Sequence, residues 1–453
     1  MKIILISPTW KKSEVGVKRR YRDKLFGFPP HSLLAVAALT PQDIEVKLID
    51  ERIEKIDFNE KADLVGITTM TAASPRACEI ADEFRKRSIP VVLGGMHVTA
   101  LPREAAQYAD AVVIGEAEGV WEKLIEDFKK RGKEGLSKFY QNSQKPDPST
   151  IPFPRRDLLK GKGYLLNRFL QISRGCPFNC HFCSVSKFFG KKYRFRPIEK
   201  VIEEIKGMIG KSLGTRFLGF LDDNIVGSTS YAKQLFKALI PCNILWAGQS
   251  SVNIAQNEEL LDLAARSGCK GLFIGFESIC EESLEEINKH QNKIEFYRKA
   301  IKRIHQFGIS IEGAFVFGFD HDDKDIFQKT VKFIEKVKLD AVQFTILTPL
   351  PGTRLYEKLE DEGRIIDRDW SNYDLAHVVF QPKLMTPQEL KEGYDFAYKK
   401  IYKLPSIFKR LTGLVKGGRW RYLGPILTLN LAYRRIMFKK RGKEESFYGG
   451  SYG

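Results

Sequence analysis

The chain has 453 residues, a length that exceeds one ordinary hydrophobic core and predicts two or three domains. Hydrophobic residues make up 43% and charged residues 29% of the chain, which excludes a disordered protein and indicates a globular one. The formal net charge is +18, and two-thirds of it arises between 403 and 443, where 12 Lys and Arg residues occur without any Asp or Glu.

Neither the apolar runs nor the cysteines indicate export or membrane insertion. The longest apolar runs, such as 313–319 and 341–347, are too short to cross a bilayer. The N-terminus reads as a first strand and lacks the longer apolar stretch and cleavage site of a secretory signal. Seven cysteines, an odd number, do not favour a disulfide framework, so we expect a cytoplasmic protein. Four scattered cysteines are expected to pack as small apolar residues, namely Cys78, Cys242, Cys269 and Cys280.

The first 135 residues alternate short apolar runs with helical patterns, which predicts a doubly wound α/β domain with a parallel sheet covered on both faces. We predict strands over 2–6, 45–49, 64–68, 91–93 and 111–114, and helices over 33–39, 74–87, 102–108 and 120–130. Ligands of open α/β sheets bind beyond the carboxyl ends of the strands. Small or polar residues stand at those ends and are candidate ligand contacts, namely Thr68, Gly94, Gly95, Gly115 and Glu116.

A linker and a second α/β repeat follow. Residues 136–165 are rich in Gly, Ser, Pro and charge with little periodicity, so we predict a linker. From 166 to 350 we predict strands over 169–173, 217–221, 244–247, 271–276, 310–317 and 341–347, with helices between them. Six βα steps predict a partial TIM-like (β/α)6 barrel whose chemistry lies at the carboxyl ends of its strands. We expect 351–453 to form a mainly helical accessory domain that ends in the basic tail.

Three cysteines follow the first predicted strand of the second repeat with the spacing C-x3-C-x2-C, namely Cys176, Cys180 and Cys183. Thiolates this close on one loop can hold three corners of a [4Fe–4S] cluster, and the absence of a fourth nearby thiolate leaves one iron open to a small ligand. The alternative is a zinc site. Structural zinc normally takes four ligands in paired spacings, and His181 is the only local addition to the trio.

These features resemble the radical S-adenosylmethionine (radical SAM) superfamily through the cysteine spacing, the aromatic residue before the last cysteine and the six-step barrel. The resemblance implies that SAM chelates the open iron and that its reductive cleavage yields a 5′-deoxyadenosyl radical, which takes hydrogen from a substrate. It also implies an external electron donor such as ferredoxin or flavodoxin. The family's usual Gly-Gly-Glu is absent, and Asp222 or Asp223 stands in its place. The implied SAM contacts are Phe182, Asp222, Asp223, Gln249, Glu277 and Ser278.

The first domain resembles the cobalamin-binding domain that precedes the cluster in one large branch of that superfamily. The resemblance rests on Phe-Pro-Pro at 28–30 and on the motifs at 63–68, 93–97 and 113–118. It implies cobalamin beside the glycine-rich strand ends. The chain lacks the Asp-x-His-x-x-Gly motif of mutases, so a bound cobalamin would have no histidine of that motif below it. An empty, retained fold is the alternative, and we interpret His97 as a buried or loop histidine.

The basic C-terminus mixes its cations with aromatic and aliphatic residues, which suits a peripheral contact with a membrane surface. A solvated face packed on the barrel is one alternative, and nucleic-acid binding is a less favoured one. The leading functional hypothesis is cobalamin-dependent methylation of an unactivated carbon on a lipid or other small metabolite. The second is radical cyclisation, rearrangement or carbon–carbon coupling. The third is a non-catalytic, zinc-holding module that binds nucleic acid or membrane. We assign no catalytic side chain.

Overall fold

The computed structural model describes residues 1–10, 27–164, 166–210 and 216–439, so the end of the basic tail lies outside the described residues. The first domain contains the strands β1 (Lys2–Ser7), β2 (Glu45–Asp50), β3 (Leu64–Thr68), β4 (Val91–Gly94), β5 (Ala111–Ile114) and β6 (Phe139–Gln141). Its helices are α1 (His31–Leu39), α2 (Ser74–Arg85), α3 (Met96–Ala100), α4 (Pro102–Ala105) and α5 (Val120–Arg131).

The six strands form one parallel sheet in the order β2-β1-β3-β4-β5-β6. Strand β1 shows why its apolar run folds this way. Ile3 and Leu5 belong to one hydrophobic cluster and Ile4 and Ile6 to another, so helices cover both faces of the strand. The strand order reverses at β1 and β3, which opens a ligand-binding crevice at the carboxyl edge. The predicted doubly wound sheet is confirmed.

Strand β6 is a difference from the sequence analysis, which predicted only a linker over 136–165. Phe139–Gln141 pairs in parallel with β5 and buries only Tyr140. A strand of three residues with one buried side chain leaves no periodic signal in the sequence. Helix α3 was not predicted either, and the predicted helix over 102–108 is confined to α4.

The second domain contains the strands β7 (Phe169–Leu170), β8 (Ser173–Arg174), β9 (Arg194–Phe195), β10 (Phe217–Phe220), β11 (Leu245–Ser250), β12 (Cys269–Glu277), β13 (Ser310–Phe317) and β14 (Ala341–Ile346). Its helices are α6 (Val185–Phe189), α7 (Ile198–Met208), α8 (Thr229–Leu239), α9 (Glu258–Arg266), α10 (Glu281–Glu286), α11 (Ile294–Gln306) and α12 (Ile326–Val337). A parallel six-stranded sheet runs in the order β14-β13-β12-β11-β10-β7, as expected for a partial barrel.

The first predicted strand of the barrel, 169–173, is divided in two. Strand β7 pairs with β10, whereas β8 leaves the sheet and pairs antiparallel with β9. The division has a local cause, since the Asp222 carboxylate accepts hydrogen bonds from the backbone N–H groups of Ile172 and Ser173. These groups are therefore withdrawn from the barrel ladder.

The C-terminal region is helical, with α13 (Arg354–Asp361), α14 (Pro387–Ile401), α15 (Leu404–Lys416) and α16 (Leu423–Lys439). Helix α14 covers the open edge of the barrel. The Tyr398 hydroxyl donates to the carbonyl of Phe344 and accepts from its N–H, both at 2.9 Å. A sheet edge with unpaired backbone groups is thereby protected. Among the described residues, no helix has both the length and the hydropathy that a membrane span needs.

Candidate functional site

A cleft with about 1250 Å³ of empty space lies where the carboxyl ends of the two sheets face each other. Both domains line it. Of the residues proposed from sequence, Thr68, Gly94, Gly95, Gly115, Glu116, Asp223 and Gln249 lie in its wall. The sequence-predicted strand ends of both domains therefore meet in one cavity.

The cysteine loop, residues 175–193, borders this cleft and is closed by the β8–β9 ladder. Gly175 begins the loop at φ +92°, and a Cβ there would stand 2.2 Å from the carbonyl oxygen of Lys192. Only glycine fits such a position. The Asn288 side-chain amide donates to the carbonyls of Phe178 and Asn179 at 3.1 and 3.2 Å. The loop is thus shaped by its own glycine and held by the barrel.

The three thiols are free and partly exposed. Burial raises the pKa of the Cys180 thiol and raises that of Cys183 to about 12, which leaves both protonated until a metal centre takes the thiolate form. The Tyr193 hydroxyl and the Gln291 amide donate to the sulfurs of Cys176 and Cys180, each at 3.9 Å. These two donors would stabilise the negative charge of thiolate sulfur, which fits a cluster held by three thiolates.

The zinc alternative depended on His181 as an added ligand. The structure directs its Nε2 towards the Arg354 guanidinium, 3.4 Å away. Within the part of the chain that the structure describes, no three His, Cys, Asp or Glu side chains are grouped so that they could hold a single metal ion.

The two neighbouring aspartates after β10 have different surroundings. Asp222 is fully buried and accepts from the Ile172 N–H and from the N–H and hydroxyl of Ser173. Asp223 lines the cleft, and no side chain of the described residues donates a hydrogen bond to it. Burial and the Asp222 charge raise the pKa of Asp223 to about 7. Asp222 therefore holds the backbone before the cysteine loop, and Asp223 is the carboxylate that a ligand in the cleft meets.

Comparison with known proteins assigns the two halves of this cleft to families. Family models match the B12 binding domain over 28–125, the Radical SAM superfamily over 170–334 and a domain of unknown function (DUF4070) over 353–436. The bacteriochlorophyllide d C-12(1)-methyltransferase of Chlorobaculum tepidum is 33% identical over 395 residues, which cover 85% of both chains. The chain belongs to the radical SAM superfamily, in the branch that carries a B12-binding domain.

Two further comparisons agree. The bacteriochlorophyllide d C-8(2)-methyltransferase of the same organism is 32% identical over 398 residues, covering 84% of this chain and 87% of the relative. The structure of the radical SAM methyltransferase TsrM from Kitasatospora setae, with cobalamin and a [4Fe–4S] cluster bound, shares the fold. Its TM-score is 0.64 at 16% identity, with 95% of this chain and 99% of that chain covered. The cofactors of the radical SAM domain are SAM and the [4Fe–4S] cluster, and the cofactor of the B12-binding domain is cobalamin.

Glycines with positive φ form the strand ends on the B12-binding side of the cleft. Gly95 adopts φ +107°, and a Cβ there would stand 2.7 Å from the backbone nitrogen of Thr69. Gly115 adopts φ +83° and is held by its N–H, which donates to the Thr99 hydroxyl at 2.8 Å. Glycine is therefore favoured at both positions, and neither one projects a side chain into the cleft, which leaves room for a large cofactor.

Sequence reasoning missed one histidine in this cleft. His31, at the start of α1, lines the wall, and burial together with nearby arginines lowers its pKa to about 3. It is therefore a neutral imidazole. The only signal for it was its place directly after Phe-Pro-Pro at 28–30. His97, by contrast, is buried beside Glu104 and edge-on to Trp370, which agrees with its interpretation as a buried histidine.

Four of the proposed SAM contacts lie outside the cleft wall: Phe182, Asp222, Glu277 and Ser278. Glu277 binds Lys289 at 2.6 Å, and the Lys289 ammonium lies 5.9 Å from the centre of the Phe182 ring. This largely buried ion pair contacts the cysteine loop through the Phe182 ring. Ser278 instead accepts a hydrogen bond from the Cys280 N–H, as an ordinary turn residue does.

Proposed function

We propose that this enzyme methylates an unactivated carbon of a hydrophobic small molecule, using a [4Fe–4S] cluster, SAM and cobalamin. The proposal is carried by the single cleft, which the cysteine loop and the glycine-rich strand ends of the B12-binding domain border together. When bound, the cluster and SAM supply a radical and cobalamin supplies a methyl group. Two cofactors that must act on one substrate need such a shared space.

The proposed tasks of the side chains follow from their contacts. Cys176, Cys180 and Cys183 would hold the cluster, and Asp222 would fix the backbone that leads into their loop. Asp223 would accept hydrogen bonds from the methionine ammonium of SAM, because it is the carboxylate without a side-chain partner in the described part of the cleft. Leu221 and the aromatic pair at 188–189 line the same cavity and would exclude water from it.

The substrate class is proposed from the relatives. The two Chlorobaculum relatives named above are methyltransferases of bacteriochlorophyllide d, so a tetrapyrrole is our first candidate. A lipid, as expected from the basic C-terminus, is the second. An external one-electron donor such as ferredoxin or flavodoxin is required for reduction of the cluster. The net charge of +18 would favour an acidic donor protein.

The test uses enzyme reconstituted anaerobically with iron, sulfide and cobalamin, and supplied with SAM, a reductant and each candidate substrate. Methylation predicts S-adenosylhomocysteine and 5′-deoxyadenosine in equal amounts, together with a product that is one methylene heavier. Release of 5′-deoxyadenosine alone, with a cyclised or rearranged product, would instead support the second hypothesis. A Cys180→Ala variant is the control and should yield neither nucleoside.

We also propose a membrane contact for the C-terminal helices. Phe408 and Val415 in α15 are 57% and 59% exposed, and Trp420, between α15 and α16, is 62% exposed. Lys403, just before α15, and Arg421, beside Trp420, are also exposed. Aromatic and aliphatic side chains among cations suit an anionic bilayer surface, from which a hydrophobic substrate would be drawn. Co-sedimentation with phosphatidylglycerol vesicles at 0.1 M salt tests this. Binding that Phe408→Ser and Trp420→Ser reduce supports the contact, and no binding to these vesicles refutes it.

A further inference from the structure

The cysteine loop is closed by a pair of like charges. In the β8–β9 ladder Arg174 stands directly opposite Arg194, and the three cysteines lie on the chain between them. Like charges directly opposite each other on neighbouring strands repel and destabilise the pair. A two-residue ladder is itself too short to be stable alone. The closure of the loop therefore needs a negative partner from elsewhere.

That partner is Glu116, which belongs to the B12-binding domain. Its carboxylate accepts from Arg174 Nη1 and Arg194 Nη2, each at 2.7 Å, and a further bond from Arg194 Nη1 measures 3.1 Å. The second Arg174 nitrogen, Nη2, binds Glu118 at 2.7 Å. The Glu116 side chain is only 2% exposed, so the water that would screen these charges is absent.

Glu116 follows β5 directly and also lines the cleft, next to Gly115. The same short segment, 115–119, thus forms part of the B12-binding surface and fastens both ends of the cysteine loop. A ligand that orders this segment lowers the cost of closing the loop, and a cluster that orders the loop lowers the cost of positioning the segment. Such mutual ordering is a coupling free energy between two sites, and it is reciprocal.

We infer that Glu116 is a positioning residue that couples cobalamin binding to the state of the cluster loop. The inference rests on the proposed use of both cofactors. It assigns the coupling to one carboxylate shared by two arginines, in addition to any direct contact between the cofactors. Loading the cluster should then tighten cobalamin binding, and a chain without this carboxylate should lose the effect.

The experiment measures the affinity of the full chain for hydroxocobalamin, by anaerobic absorbance titration, before and after reconstitution of the cluster. The quantity of interest is the ratio of the two dissociation constants. For the natural chain we expect tightening within the range of about 5- to 150-fold that is usual for coupled sites. For Glu116→Gln we expect a ratio within about twofold of one, and for Glu116→Asp, which keeps the charge, an intermediate ratio.

The ratio separates coupling from mere loss of stability. A variant that only loosens the fold weakens binding before and after reconstitution alike, and its ratio stays that of the natural chain. Glu51→Gln is the matched control, because Glu51 is a buried carboxylate paired with Arg76 inside the B12-binding domain and away from the cysteine loop. If Glu116→Gln does not fold, Arg194→Gln removes one of the two arginines that bind Glu116. It should also reduce the ratio of the two dissociation constants.

A ratio of one for the natural chain would overturn the inference, as would an unchanged ratio in Glu116→Gln or Arg194→Gln. If the enzyme still methylates its substrate, either of these results leaves the proposed function unaffected. Failure of the natural chain to bind hydroxocobalamin in both forms would remove cobalamin from the proposed function and overturn the inference with it.

Discussion

Replacing Asp222 tests how the barrel fixes the start of the cysteine loop. Its carboxylate accepts from Ile172 N–H at 3.1 Å and from the Ser173 N–H and hydroxyl at 2.5 and 2.6 Å. Alanine would leave three buried donors without this acceptor, at about 1–3 kcal/mol each. Asparagine can keep its oxygen at the position of Oδ1, which receives all three bonds. We therefore expect Asp222→Ala to be destabilised by about 3 kcal/mol or more and Asp222→Asn by much less.

The ionisation of Asp222 makes the stability of the natural chain depend on pH. Burial raises the pKa of Asp222 to about 6 in the folded chain, above its value of 3.8 in the unfolded chain. The contribution of Asp222 to stability is therefore fully present below pH 4, and up to about 3 kcal/mol of it is lost as the pH rises from 4 through 6, at ~1.4 kcal/mol per unit of pKa difference. Asparagine does not ionise, so the stability of Asp222→Asn relative to the natural chain should increase as the pH rises from 4 to 7.

The assay is urea unfolding of the cluster-free chain, followed by circular dichroism at pH 4.5 and pH 7, with iron content after reconstitution as a second readout. Asp222→Ala should also bind less iron per chain, because the backbone before Cys176 is released. Equal losses in Asp222→Ala and Asp222→Asn would refute the role of the acceptor. A difference between Asp222→Asn and the natural chain that stays constant from pH 4.5 to 7 would refute the assigned ionisation.

Three further predictions concern single groups. The affinity of the cluster-loaded enzyme for SAM should fall about tenfold per pH unit below 7, because the Asp223 carboxyl must lose its proton before it can bind an ammonium. Asp223→Asn should bind SAM weakly at every pH and without this pH dependence. Equilibrium dialysis measures both affinities. Tyr193→Phe removes the hydroxyl that donates to the Cys176 sulfur, so the cluster midpoint potential should become more negative in an EPR-monitored redox titration. Tyr398→Phe deprives Phe344 of this buried hydroxyl partner on the barrel edge and should cost about 1–3 kcal/mol in urea unfolding.

Much of the fold could be predicted because its signals are local. Buried parallel strands such as β1 and β3 are continuous apolar runs, and the helices between them carry apolar residues at helical spacing. Strand β6 escaped prediction because pairing with β5 defines it, whereas its own side chains do not. The cysteine trio is equally local, since its chemistry depends on spacing along one loop.

The site could be predicted only in part, because the missing elements depend on contacts between distant residues. Glu116 was expected beside cobalamin, and it does line the cleft, but 58 residues separate it from Arg174 and nothing in the sequence marks the pair. Glu277 was expected to face the opening, and its ion pair with Lys289, twelve residues further along the chain, had no signal in the sequence. His31 was overlooked because a histidine at a helix start carries no spacing signal of its own.

The two aspartates after β10 show where prediction from a motif stops. Both residues follow the end of β10, in a loop where no strand periodicity fixes the direction of a side chain. The sequence placed the pair at the correct strand end but could not assign a side to either residue. The structure assigns Asp222 to the backbone before the cysteine loop and leaves Asp223 in the cleft. The position of the cysteines thus depends on a carboxylate from the next barrel strand as well as on their own loop, and a change in β10 that shifts Asp222 should disturb the cysteine loop without touching a cysteine.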